Sequence, residues 1–213
     1  MKILIIDDHT LMRKGLKQIL EDGLGQVECG EAQNTQEGLG RLEQESWDAV
    51  LLDINMPGGS GFDVLKEVKE KKPKLPVLVL SAYPEDQLAL RTLKAGASGY
   101  LNKSAAADEL IRAMHKVLSG GKYITPILAE KIAEDLQERT PGRSHERLSA
   151  REFQVLQMIT AGRLLKDIAT ELSVNVKTVS TFRFRILKKL GLQNNVELTR
   201  YAIQHGLIEP PGP

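Results

Sequence analysis

Along the first 118 positions, apolar residues alternate between two rhythms. Short strand-like runs occur in KILIID (2–7), QVECGEA (26–32), DAVLLDI (48–54), PVLVLS (76–81) and SGYLNK (98–103). These have the length of strands buried on both faces. Between them apolar residues recur at helical spacing over 10–22, 35–45, 61–72, 85–95 and 105–118. Five such units predict an α/β fold, a doubly wound five-stranded parallel sheet. Gly38 and Gly40, Pro57 to Gly61 and Lys72-Pro73 supply the breaks.

The pattern changes after Gly120-Gly121. A helix is predicted near 126–138 (PILAEKIAEDLQE), followed by ERTPGRSHER, where apolar periodicity is lost and Pro141-Gly142 reads as a hinge. From Leu148 onward the rhythm is helical throughout: 149–161, 165–172, 176–190 and 195–206, broken at Gly162, Ser173-Val174-Asn175 and Gly191. This divides the chain into an α/β domain (1–120), a linker (121–147), a small all-α four-helix domain (148–207) and a disordered tail (208–213) ending in EPPGP. In the all-α domain Leu148, Phe153, Leu156 and Ile159 form one core stripe. Val179, Phe182, Ile186 and Leu190 form another. The segment KDIATELSVNVKTVSTFRFRILKKL reads as helix, tight turn, helix.

Composition is that of an ordinary globular protein, 41% hydrophobic and 27% charged over 213 residues. No apolar run approaches the ~20 residues that span a bilayer. MKILIIDD turns acidic too early for a secretory signal, so the expected location is cytoplasmic, with no membrane partner. The single cysteine, Cys29, has no internal disulfide partner and reads as core packing. Charge is unevenly spread: residues 1–145 hold 19 Lys and Arg against 22 Asp and Glu, and residues 146–213 hold 10 against 6. An acidic front and a basic back point to different partners, the back one a polyanion.

Chemistry enters at the strand ends. In an open parallel sheet functional groups collect at the carboxyl edge. The predicted strands end there in Asp7-Asp8, Asp53, Ser81 and Lys103. Three carboxylates that close repel one another unless a hard divalent cation intervenes, and Mg²⁺ takes such oxygen ligands. A carboxylate beside Mg²⁺ can attack phosphorus and form an acyl phosphate, and Asp53, followed by Asn55-Met56-Pro57-Gly58, is the exposed candidate. Lys103 would neutralise charge on the transferring group and Ser81 would hydrogen-bond it. Each residue also has an ordinary reading: Asp8 as a helix N-cap, Ser81 as a turn residue, Lys103 as a solvated cation. In the all-α domain Lys177, Ser180, Thr181, Phe184 and Lys188 share one helix face, flanked by Arg183 and Arg185. Long cations around a short polar centre suit a DNA major groove.

The order IDDH, LLDINMPGGSG, VLSA, GYLNK resembles the receiver domain of two-component response regulators. LSAREFQVL, DIATEL, KTVSTFR, ILKKLGL and NNVELTRYAI resemble the LuxR-type helix-turn-helix of NarL/FixJ regulators. The resemblance implies a flavodoxin-like receiver in which Asp53 accepts a phosphoryl group from a sensor histidine kinase. It implies Mg²⁺ held by Asp8, Asp53 and the Asn55 carbonyl directly, and by Asp7 through water. It makes Ser81 and Tyr100 a switch pair whose aromatic ring turns inward on phosphorylation. Asn55 and Tyr83 then tune the phosphate's lifetime. It implies double-stranded DNA bound by Lys177, Thr178, Ser180, Thr181, Arg183, Phe184, Arg185 and Lys188, as a homodimer contacting through Tyr201 and Ala202. The implied protein is a transcription regulator and no enzyme beyond its own phosphorylation and dephosphorylation. The sequence departs from the family in three places. Ser104 replaces a common proline, so a trans bond is expected. Leu164-Leu165 replace polar residues at the start of the scaffold helix. Phe182 replaces a common histidine. Two rivals are a Mg²⁺-dependent phosphohydrolase, against which Asn55 stands where a second aspartate is typical, and a regulator that binds DNA without phosphorylation.

Overall fold

Three of the five central strands are dominated by Ile, Leu and Val and are buried, whereas the edge strand ECGEA is largely half-buried or exposed. In the computed structural model, which describes all residues except 57–58, 138–144, 146–147 and 209–213, the chain falls into two units, Met1–Ala133 and Glu134–Pro213. Pro141-Gly142, the Pro57-Gly58 turn and EPPGP lie outside the described residues.

In the first unit β1 (Lys2–Ile6), β2 (Glu28–Ala32), β3 (Ala49–Asp53), β6 (Val77–Ser81) and β7 (Gly99–Asn102) form an all-parallel sheet of order β2-β1-β3-β6-β7. Two short strands, β4 (Asn55–Met56) and β5 (Gly59–Ser60), pair antiparallel beyond β3. They are too short to leave any periodicity in the sequence. The helices are α1 (Thr10–Leu24), α2 (Thr35–Gln44), α3 (Gly61–Lys71), α4 (Glu85–Lys94) and α5 (Ala107–Leu118). Ile3, Ile5, Leu51, Leu78 and Leu101 pack with Leu16 and Leu20 of α1 and Leu110, Met114 and Val117 of α5 in one core.

Strand order reverses between β1 and β3, and such a switch point opens a crevice at the carboxyl edge. Gly61 maintains close packing there: a Cβ on it would lie 2.3 Å from the Asp53 carbonyl oxygen, so only glycine lets α3 start against the end of β3. Past α5 the chain covers the free edge of β7. Tyr123 N–H donates to the Ser98 carbonyl at 2.8 Å, and Thr125 hydrogen-bonds Glu85. This protects an edge strand from unwanted pairing. Helix α6 (Pro126–Gln137) then begins, with Leu128 buried.

The second unit holds α7 (Ala150–Thr160), α8 (Leu165–Glu171), α9 (Val176–Leu190) and α10 (Asn195–Gln204). A capping box starts α7: Glu152 N–H donates to Ser149 Oγ, and Ser149 N–H donates to Glu152 Oε2. Asn175 and Asn194 cap α9 and α10, while Gly191 ends α9 at φ 70°. No side chain caps α8, whose N-cap is Leu164. Phe153, Leu156, Ile168, Val179, Ile186 and Leu198 are fully buried where α7, α9 and their neighbours meet. One expected core position differs. Phe182 is only half-buried, and Leu187, one turn and a residue further on, enters the core in addition to Ile186.

Candidate functional site

Asp7, at the exit of β1, and Asp53, the last residue of β3, are each about 1% exposed. Lys103, just after β7, places its Nζ 2.8 Å from Asp7 Oδ2 and 2.8 Å from Asp53 Oδ2. One ammonium thus bridges two buried carboxylates. Asp53 Oδ1 accepts from the Asn55 N–H at 2.9 Å, and Asp7 Oδ1 accepts from the His9 N–H at 2.7 Å. Burial pushes the Asp53 carboxyl up to about 6, against the downward pull of Lys103 and the Asn55 N–H. Burial also draws the Lys103 ammonium down, but its pairing with the Asp53 and Asp7 carboxylates outweighs this and holds it above the ordinary lysine value.

Asp8 does not cap α1. His9 occupies that position without a side-chain cap, and its Nδ1 lies 2.9 Å from Asp8 Oδ1. One ligand atom each from Asp7, Asp8, His9 and Asp53 falls within a 4.8 Å circle. Asp7 Oδ2 and Asp8 Oδ1 are buried, the first against the Lys103 ammonium and the second against the His9 ring, and neither has an aligned hydrogen bond. The three carboxylates of this group, crowded together, fit a hard divalent cation such as Mg²⁺. A cavity of about 360 Å³ opens at this point, lined by His9, Met12, Asp53, Asn55, Ala82 and Lys103 among others.

The remaining expected residues of this site stand nearby in different states. Ser81 ends β6 fully buried, next to Leu80, which pairs with Asp53. Its Oγ accepts from the Tyr83 N–H at 3.2 Å. The Tyr100 ring is fully buried, with the hydroxyl donating to the Tyr83 carbonyl at 2.6 Å, which is the inward position expected of the switch residue. Asn102 Nδ2 donates to the same carbonyl at 3.0 Å. The peptide bond after Lys103 is trans.

Two contributors carried no signal of their own in the sequence reading. Arg13 is 7% exposed and donates from Nη1 to the Asp7 carbonyl at 2.7 Å, while its Nε faces Glu31. It fixes the turn from which Asp7 and Asp8 project. Its spacing from Leu16 and Leu20, on the buried stripe of α1, was the available clue. His9 was the other.

In the second unit Lys177, Thr178, Ser180, Thr181, Phe184, Arg185 and Lys188 of α9 are all exposed, Phe184 by 65%. Arg183 is half-buried, and its Nε donates to Asn195 of α10 at 2.6 Å. The structure separates two adjacent lysines. Lys189 pairs with Glu152 of α7 at 2.6 Å, whereas Lys188 points outward. The turn between α8 and α9 places Ser173 at φ 51°, a left-handed conformation unusual for a serine. On α10 the expected contact Ala202 is corrected. It has no exposed surface because it packs into the unit's core where α10 meets α7. Tyr201 is half-buried with its hydroxyl 3.0 Å from His145 Nδ1. The apolar residues that α10 exposes are Val196 and Ile203, one on each side of Arg200.

Residues 3–115 match the family described as "Response regulator receiver domain", and residues 146–202 match "Bacterial regulatory proteins, luxR family". The chain is a response regulator of the NarL/FixJ type. It is 35% identical to the response regulator UvrY of Escherichia coli K12 over 96% of its own length and 94% of the relative's. To the response regulator GacA of Pseudomonas aeruginosa it is 34% identical, with 98% of each chain covered. Among solved structures, RcsB of Salmonella enterica serovar Typhimurium, bound to promoter rprA in the presence of the phosphomimetic BeF₃⁻, aligns with TM-score 0.69. It has 27% identity and covers 94% of this chain and 98% of that one. The regulator therefore consists of a receiver domain and a LuxR-type DNA-binding domain, and its relatives are regulators rather than hydrolases. Among the described residues no helix is long and apolar enough to cross a membrane.

Proposed function

We propose that this regulator accepts a phosphoryl group on Asp53 from a sensor histidine kinase and, so modified, binds operator DNA as a homodimer to control transcription. The observation that carries the first half is the buried Asp53 carboxylate held against Lys103 and crowded by Asp7 and Asp8. Asp7, Asp8, Asp53 and the Asn55 backbone would hold Mg²⁺, which supplies positive charge to the phosphoryl oxygens. Lys103 adds a second cation on the same side. Asp53 provides the nucleophilic oxygen, and Ser81 and Tyr100 register the product from the adjoining strands. Asn55 and Tyr83, at the cavity and the loop beyond β6, affect how readily water reaches it. Lys177, Thr178, Ser180, Thr181, Phe184, Arg185 and Lys188 form the DNA-facing surface of α9, with Arg183 bracing that helix to α10. The exposed Val196 and Ile203 of α10, with Tyr201 beside them, are the dimer surface. The domain limits 1–120 and 148–207, joined by a linker at 121–147, belong to the same reading, as does a cytoplasmic location.

Acetyl phosphate with Mg²⁺ tests it. One labile phosphoryl group should appear on the wild-type chain and none on Asp53→Asn. Labelling that survives in Asp53→Asn would place the nucleophile elsewhere. Asp8→Ala should lower Mg²⁺ affinity and phosphorylation together, because the cation loses a ligand. An unchanged Mg²⁺ titration would remove Asp8 from the site.

A further inference from the structure

Arg13 lies on the buried stripe of α1 with Leu16 and Leu20. An apolar side chain would fill that stripe without desolvating a charge, so packing alone does not account for a guanidinium there. Its donors are spread over three elements. Nη1 donates to the Asp7 carbonyl at 2.7 Å, Nε to Glu31 Oε2 of β2 at 3.2 Å, and Nη2 to Thr10 Oγ1 at 3.4 Å. The first of these bonds bears on the acidic cluster. A carbonyl held in place fixes the plane of the peptide between Asp7 and Asp8, and that plane sets where the Asp8 side chain leaves the backbone. The groups on either side are pinned as well. The Asp7 N–H donates to the Ala32 carbonyl at 3.1 Å, and the His9 N–H donates to Asp7 Oδ1 at 2.7 Å. Asp8 Oδ1 itself is buried without an aligned hydrogen bond, which leaves the backbone to aim it.

We propose that Arg13 is a positioning residue of the cation site: through the Asp7 carbonyl it aims the Asp8 carboxylate at the place where Asp7 and Asp53 converge. This rests on these carboxylates holding Mg²⁺ and adds the group that orders them before the cation arrives. The charge of Arg13 works the other way. A guanidinium beside a cation site repels the cation, so an Arg13 that acted by charge alone would weaken Mg²⁺ binding. The two roles therefore predict opposite signs when the charge is removed. Lysine keeps the charge but offers a point donor in place of the planar fork, so it cannot hold the Asp7 carbonyl and Glu31 in the same geometry.

Mg²⁺ titrations of the full-length protein, followed by the backbone amide shifts of residues 7–9 and 53–55, test this. Well below the unfolding temperature those shifts report binding to the native protein, which a loss of stability alone does not alter. Arg13→Lys and Arg13→Gln should both weaken Mg²⁺ binding about tenfold or more, the usual effect of removing a group that orients a ligand. In an Asp8→Ala background Arg13→Lys should cost less than about twofold, because the ligand it aims is gone. An unchanged constant in Arg13→Lys overturns the proposal. So does tighter binding in Arg13→Gln, which would make charge the guanidinium's whole bearing on the site. An equal loss with and without Asp8 overturns it too. Should Arg13→Gln not fold, Arg13→Lys decides, since it keeps a cation in the buried stripe. If the wild-type amides do not respond to Mg²⁺, it is the cation reading that fails, and the positioning role falls with it.

Discussion

As the proposed phosphoacceptor, Asp53 combines two requirements that oppose each other: a nucleophile must be ionised, and this strand-end carboxylate is almost fully buried. The compromise leaves a trace in stability. With its carboxyl pushed up to about 6 by burial, against an ordinary value near ~3.9, the folded protein binds a proton more tightly than the unfolded chain. Stability linked to this group is therefore fullest below about pH 4 and is lost as pH rises through 6. Asp53→Asn removes that loss. Unfolded by urea in EDTA, the variant should exceed the wild type by about 1–3 kcal/mol at pH 7.5, and the gap should close as pH falls from 6 to 4. Adding Mg²⁺ should narrow it too, because the cation binds the native wild type better. A variant less stable than the wild type at pH 7.5 would mean that the Lys103 pair outweighs burial. The carboxylates and Lys103 were legible because each follows an apolar run, and a parallel sheet sends all such ends to one edge. Arg13 was not, since an arginine inside an amphipathic helix reads as solvated until its neighbours at Leu16 and Leu20 prove buried. Tyr100 was legible as a residue but not in its state. Nothing in GYLNK fixes whether the ring lies inside or out, and that is decided by the Tyr83 carbonyl across the strand ends.

The same contrast holds for elements. Helix α9 spans 176–190 as its pattern predicts, because Asn175 and Gly191 mark both ends chemically. Helix α5 starts at Ala107 instead of 105. The run Ser104-Ala105-Ala106 favours helix, but Asn102 accepts from the Ser104 N–H and the Ala105 N–H bonds the Asn102 carbonyl, so a turn intervenes. On α10, periodicity located a surface but not its side. Ala202 and Ile203 are adjacent, and only packing against α7 decides that the first is core and the second exposed. The exposed face of α9 gives a prediction at this scale. Lys188 is exposed, pairs with no other element among the described residues and should contact phosphate, so Lys188→Ala should weaken binding to all duplexes alike and lower the slope of log affinity against log salt by about one. Phe184 exposes a large ring on the same face. Phe184→Ala should leave thermal stability nearly unchanged and alter sequence preference, through contacts such as those aromatic rings make with thymine methyl groups. A selection from random duplexes, repeated for each variant at two salt concentrations, separates these effects. If Lys188→Ala changed the preferred sequence with the salt slope intact, the roles would be exchanged.

At the scale of the whole molecule, two units with separate cores can form one regulator only if events in one change a free energy in the other. A phosphoryl group alters DNA affinity only by favouring an arrangement that binds DNA better. Such coupling is reciprocal: whatever factor phosphorylation contributes to DNA binding, DNA must contribute to binding at the phosphoryl site. Beryllofluoride with Mg²⁺ makes this measurable, since it mimics the phosphoryl group reversibly and has a dissociation constant. If beryllofluoride tightens binding to a selected duplex tenfold, that duplex should tighten beryllofluoride binding tenfold, each about 1.4 kcal/mol. Both titrations must hold protein concentration fixed, because pairing of two chains on DNA is part of the coupled equilibrium. The readout distinguishes the remaining readings of this protein. Equal factors above one describe a phosphorylation-controlled regulator. Factors of one in both directions, with DNA still bound, describe a regulator that reads its operator regardless of Asp53, and Asp53→Asn should then bind DNA as the wild type does.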